Sequence, residues 1–229
     1  TGFEAGFPYI RDHIYGGNDL GGEIKGSKDF TASVKSTDLP YVHGYTKPEG
    51  SATGTSPVLT ASAYTEYVQG RVDYIFGGCY GDYDYKDREL ADYTYDNGLS
   101  KEGFTKPRMG NAFVNFRPNT YDRNVVKRIH GAGQGHLKGI GVDSLQNSSY
   151  ILIDIPSDAK TTYQTLDVFG TGAYSGIGMG VDSATVAAAP DRYSAIIDLF
   201  RGVINNVYGG SYEEGFTRRA IVNVPRAST

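Results

Sequence analysis

The densest set of side chains able to do chemistry lies in Cys79-Tyr80-Gly81-Asp82-Tyr83-Asp84-Tyr85-Lys86-Asp87, continued by Glu89, Asp92, Tyr93, Tyr95 and Asp96. Its carboxylates could give oxygen ligands to Ca²⁺, or two of them could act as acid and base on a glycosidic bond. The spacing matches no recognised Ca²⁺ loop, because Lys86 stands where a third ligand is wanted. The interleaved tyrosines offer a second chemistry: aromatic faces that stack on sugars or bind protein while their hydroxyls stay in water. The bland alternatives are a solvated polar insertion and tyrosines packed into a core or edge. Candidate binding residues are therefore Tyr80, Asp82, Tyr83, Asp84, Tyr85, Tyr93 and Tyr95, with Ca²⁺ the one cofactor to test. No residue is assigned a catalytic or metal-binding role.

Other reactive types are poorly placed for chemistry. His13, His43, His130 and His136 are scattered except for the last pair, and no nucleophile or metal-ligand pattern accompanies them. Gly131 to Gly135 and Gly170 to Gly176 superficially resemble phosphate loops. They lack the Lys-Ser/Thr ending and a following helix, and corners of a repeat explain them better. Cys79 is the sole cysteine, so no internal disulfide framework exists, and a small buried residue is its simplest role.

The elements that must position these residues repeat. Gly202-Val203-Ile204-Asn205-Asn206-Val207-Tyr208-Gly209-Gly210 is a near copy of Gly70-Arg71-Val72-Asp73-Tyr74-Ile75-Phe76-Gly77-Gly78. Shorter relatives stand at Ile14-Tyr15-Gly16-Gly17, Ile129-His130-Gly131-Ala132 and Val168-Phe169-Gly170-Thr171, so His130 occupies a ring position and reads as structural. Such self-similarity signals a stacked architecture. The glycines at 131, 170 and 209 are evenly spaced by 39 residues, and the longer earlier intervals imply insertions, placed near 27–60 and 79–108. A second strand recurs as Ala112 to Pro118, Tyr150 to Pro156 and Ala220 to Pro225; each alternates and ends at proline, which suits a strand's end.

Glycine makes up 31 of 229 residues, about twice the usual share and without the collagen period. With 19 Tyr, 10 Phe and many β-branched residues, this favours strands and turns. A formal charge of −4 gives no surface for neutralising nucleic-acid phosphates. No run nears the roughly 18 apolar residues of a membrane-spanning helix. The start, Thr1-Gly2-Phe3-Glu4, lacks an initiator Met and the blocks of a signal peptide, as expected of a processed or excised piece.

The expected fold is all-β: one domain over residues 1–229, a right-handed parallel β-helix, or solenoid, with loop insertions. β-Branched residues would stack into an apolar ladder, and the glycines would allow tight corners. A β-propeller or β-sandwich is the alternative; a blade needs four strands, whereas two or three per unit are visible, and a sandwich does not demand repeats.

The segments at 70–78 and 202–210, with Tyr15-Gly16-Gly17-Asn18, resemble the "VYGGG" repeats of large β-helix surface proteins of Bacteroides-like bacteria. The resemblance spans most of residues 10–217, departing at Gly131-Ala132 and Gly170-Thr171. It implies an exported, surface-attached, adhesin-like β-helix and carries over no catalytic residue. The expected function is thus a non-catalytic cell-surface or extracellular module, a stalk or adhesive segment for glycan or protein. The alternative is a carbohydrate-active β-helix enzyme, a polysaccharide lyase or glycoside hydrolase. Clustering separates them, because an enzyme should gather two carboxylates, or a basic residue and a carboxylate, in one cleft.

Overall fold

The computed structural model describes residues 8–18, 23–26, 28–31, 58–81, 93–94, 99–100, 108–120, 124–135, 144–145, 147–156, 165–178, 183–188, 193–213 and 215–224. Five successive units follow one another along the chain. The first holds β1 (His13–Tyr15), β2 (Glu23–Ile24), β3 (Lys28–Thr31), β4 (Val58–Ala61) and β5 (Ala63–Tyr67). The second holds β6 (Tyr74–Phe76), β7 (Tyr93–Thr94), β8 (Leu99–Ser100), β9 (Arg108–Met109) and β10 (Ala112–Phe116). The third is β11 (Arg128–His130), β12 (Ser144–Leu145) and β13 (Ser149–Asp154). The fourth is β14 (Asp167–Phe169), β15 (Gly176–Ile177), the short helix α1 (Ser183–Ala188) and β16 (Ser194–Arg201). The fifth is β17 (Asn206–Tyr208) and β18 (Arg219–Asn223).

Each unit gives one strand to each of two parallel sheets, and the first four units give one strand each to a third. The first sheet runs β1-β6-β11-β14-β17, the second β5-β10-β13-β16-β18, and the third β2-β9-β12-β15, which Thr217 of the fifth unit extends by a bridge to Ile177. The protein is thus all-β, with very little helix among the described residues. Sequence neighbours in these sheets come from successive units, unlike the antiparallel neighbours of a propeller blade or a sandwich sheet. The pairs β3 with β4 and β7 with β8 are antiparallel and stand outside the three sheets. β3, β7 and β8 fall within the stretches 27–60 and 79–108, most of which lies outside the described residues, and β4 ends one residue past the first of them. No helix is long and apolar enough among the described residues to cross a membrane.

The register explains the repeat. Ile14, Ile75, Ile129, Val168 and Val207 are direct partners across the first sheet. In the second, Val114, Ile151 and Ile197 are partners, as are Phe116 and Ile153. These two ladders meet in one core with Val72, Val126 and Leu166 from the corners. Each buried Ile or Val contributes about 1.5–3 kcal/mol, yet a unit alone could cover only one side of its own ladder. The neighbour supplies the other side.

Glycine follows each ring for a steric reason. A methyl at Gly77 would lie 2.5 Å from the Gly131 carbonyl oxygen, and methyls at Gly16, Gly131 and Gly170 would land on the carbonyls of Gly77, Gly170 and Gly209 in turn. The two longest repeat copies also begin alike: Gly70 and Gly202 both have φ +128°, a region closed to ordinary side chains. Beside the first of these turns, buried Asn124 accepts from the Gly70 N–H at 2.8 Å and donates to Asn119 Oδ1 at 2.8 Å. Cys79 is buried beneath the third sheet with Met109 and Ile177.

Candidate functional site

Strand alternation sends the rings to the opposite face from the aliphatic ladder. Tyr15, Phe76, His130, Phe169 and Tyr208 form one column down the outside of the first sheet. Their centroids are 5.0, 4.5, 4.9 and 4.8 Å apart in that order, and their planes are within 12° of parallel. Parallel register alone produces this stack, since each ring sits one strand spacing above the last. His130 is an inner member, and its pKa is lowered from 6.5 to about 3, by burial first and by the Arg128 charge second, while a Gly172 backbone hydrogen bond acts in the opposite direction and His13 adds the smallest lowering effect. Its Nδ1 is buried without a hydrogen-bond partner.

After the glycines the chain turns and runs alongside this column. Backbone bonds tie the successive turns together: Tyr80 N–H to Asn18, Gln134 N–H to Cys79, and Tyr212 N–H to Gly172, at 3.0, 3.0 and 3.1 Å. The side chains of these turns reach the rings. Tyr212 packs edge-on against Phe169, 5.2 Å between centroids, and takes the Arg128 guanidinium 4.0 Å over its own ring. Tyr80 tilts against Tyr15 at 5.1 Å, and the Tyr15 hydroxyl donates to Gln134 Oε1.

At the first-unit end, this arrangement leaves a cleft of about 410 Å³ lined by Asp12, His13, Tyr15, Gly17, Tyr80 and Gln134. That volume is in the range of small-molecule sites. Its walls combine two tyrosine rings with a carboxylate, an amide and an imidazole, a set that can stack on the C–H face of a sugar and bond its hydroxyls. His13 Nδ1 lies 2.9 Å from Asp12 Oδ1, although the angles fall outside those of a hydrogen bond. The His13 ring also stacks on Tyr74 at 4.5 Å.

Of the residues singled out in the sequence, Tyr80 lines this cleft. Tyr93 lies in β7, and its side chain is not among those described. Asp82, Tyr83, Asp84, Tyr85 and Tyr95 lie outside the described residues, as do His43 and His136. The structure adds Asp12, His13, Tyr15 and Gln134. No sequence signal joins them, because 119 residues separate Tyr15 from Gln134 and stacking alone brings them together. Among the described residues, no three His, Cys, Asp or Glu side chains converge as a metal site. Comparison with protein-family models, curated proteins and solved structures gives no match for this chain.

Proposed function

We propose that the three parallel sheets are the faces of a right-handed parallel β-helix, and that the chain is a non-catalytic surface or extracellular module that binds glycan. In this reading it is a rigid, adhesin-like stalk akin to the "VYGGG"-repeat surface proteins of Bacteroides-like bacteria, with protein as the other ligand class. One observation carries the binding role: a ring column that is closed over by Tyr212 near its far end but opens into a cleft at Tyr15 and Tyr80. Flat aromatic faces beside hydrogen-bonding groups suit an uncharged pyranose.

A glycan-array screen with the purified chain tests this, run with and without Ca²⁺ because the carboxylates Asp82 and Asp84 follow Tyr80 closely. Retention of a glycan that falls about tenfold in Tyr80→Ala, as loss of one stacking face predicts, supports the cleft. Retention unchanged in Tyr80→Ala sinks it, and loss in Tyr83→Ala with Tyr85→Ala moves the site onto the insertion.

The Asp12–His13 approach favours one second reading, an enzyme that acts on polysaccharide. Canonical glycoside hydrolysis uses two carboxyl groups, roughly 5–9 Å apart. The described lining residues supply one, Asp12, with its side chain 81% exposed. Product analysis on any retained glycan decides between them: shortened chains establish the enzyme, and intact glycan the binding module.

A further inference from the structure

Arg128 stands on the outer face of the first sheet, in the column beside the rings, where the parallel register sets His13, Tyr74, Arg128, Asp167 and Asn206 side by side. Its guanidinium lies over two rings at once, 4.0 Å from the centroid of Tyr212 and 5.0 Å from that of Tyr74, and it donates to the Tyr212 hydroxyl at 3.1 Å. These contacts hold the long side chain in place before any ligand arrives, so its ordering entropy is already spent. Lys127, Arg117 and Arg201 each meet a carboxylate, those of Asp73, Glu66 and Asp154. Among the described residues no carboxylate meets Arg128 in this way. Asp167, its partner in the next strand, instead accepts from the Asn205 and Asn206 amides at 3.0 and 2.9 Å. The guanidinium therefore keeps further N–H donors, in a planar fork that matches a carboxylate.

We propose that Arg128 is an anion subsite beside the glycan cleft, and that the bound glycan carries a carboxylate there, as a uronic acid does, while a neutral ring sits between Tyr15 and Tyr80. The proposal rests on the glycan reading of that cleft and names the class of glycan it takes. The path between the two subsites is built. His13 lines the cleft and stacks on Tyr74 at 4.5 Å, and Tyr74 carries the Arg128 guanidinium over its ring. His13 and Arg128 are two strands apart, about 10 Å, a span that a di- or trisaccharide bridges. Charge sets the direction. Asp12 of the cleft wall has its side chain 81% exposed and repels a carboxylate, so the neutral ring belongs in the cleft and the charged one at Arg128. A carboxylate against the fork makes paired, charge-assisted hydrogen bonds, roughly twice as strong as neutral ones. A sulfate ester offers the same charge on a different arrangement of oxygens, and the test separates the two.

The probes are glucuronate, its neutral methyl ester and glucose 6-sulfate, titrated at low salt and followed by NMR at the Arg128 Nε–H and at the Tyr74 and Tyr212 rings. Glucuronate should saturate these signals at a concentration about tenfold lower than the ester, the difference that one hydrogen bond to a charged group makes. Arg128→Gln should abolish this preference at the two rings. Arg128→Lys, which keeps the charge without the fork, should lose most of it, and Lys127→Gln should retain it. If Arg128→Gln lowers the melting temperature, the wild-type signals decide: an Arg128 Nε–H that glucuronate does not move, or moves no more readily than the ester does, overturns the subsite. Equal loss of preference in Lys127→Gln overturns it too, because a diffuse field and not the fork would then be selecting the anion. Tighter binding of glucose 6-sulfate overturns the carboxylate. Neutral glycan retained through Tyr80 without any preference for glucuronate at Arg128 overturns the subsite alone and leaves the cleft standing.

Discussion

His130 is the residue where the repeat and its chemistry diverge most sharply. Every other copy of its position carries Tyr or Phe, and the imidazole accepts the same stacked geometry at the cost of a buried Nδ1 without a partner. The folded chain therefore holds it neutral, with a pKa near 3 against 6.5 in the unfolded chain. A depressed folded pKa gives stability that is complete above about pH 6.5 and is lost as pH falls towards 3, because only the unfolded state takes up the proton in that window. Between pH 7 and pH 5 the loss is about 2 kcal/mol. His130→Phe keeps the ring and removes the proton site. Urea unfolding at the two pH values should show that loss in the wild type and about 2 kcal/mol less of it in the variant. Equal losses in both would mean that His130 is hydrated and exposed to protonation in the folded chain. The histidine's structural role was readable from its place in the repeat, whereas its unpartnered nitrogen depends on what covers the stack.

The strand followed by glycine is the element that most of the sequence reading concerns, and its glycines make a sharp test. Gly131→Ala would place a methyl on the Gly170 carbonyl and 2.8 Å from the Ser149 Cβ, with backbone on one side and a packed strand on the other. It should cost about 3 kcal/mol, the upper end of overpacking. Gly26→Ala has nothing within 4 Å and should change stability by less than about 0.5 kcal/mol. Denaturation midpoints compare the two, and similar midpoints would refute the carbonyl approach between units. These strands were legible because stacking forces one residue type into each column, so contact in space becomes repetition in sequence. β16 was not legible in this way. Both faces of the second sheet are buried, Ile151 and Ile197 inward and Phe113, Tyr150 and Ile196 outward, so Ser194–Arg201 lacks the polar alternation that marks a half-covered strand, and no proline closes it. The third sheet's two-residue strands are too short to carry a period. The cleft was legible only through Tyr80, since its other walls come from different units.

Across the whole molecule, each unit leans only on its neighbours, so stability should be graded along the stack rather than uniform. The third unit is covered on both sides: Ile129 of β11 and Ile151 of β13 are fully buried. Among the described residues the fifth has a neighbour on one side, and its Tyr208 and Val222 are partly open. Opening the end unit breaks one interface, while opening the middle breaks two. Amide exchange at low micromolar concentration should therefore be slowest in β11 and β13 and faster by about two orders of magnitude in β17 and β18, a gap of roughly 3 kcal/mol. Uniform protection would show that the units unfold as one block.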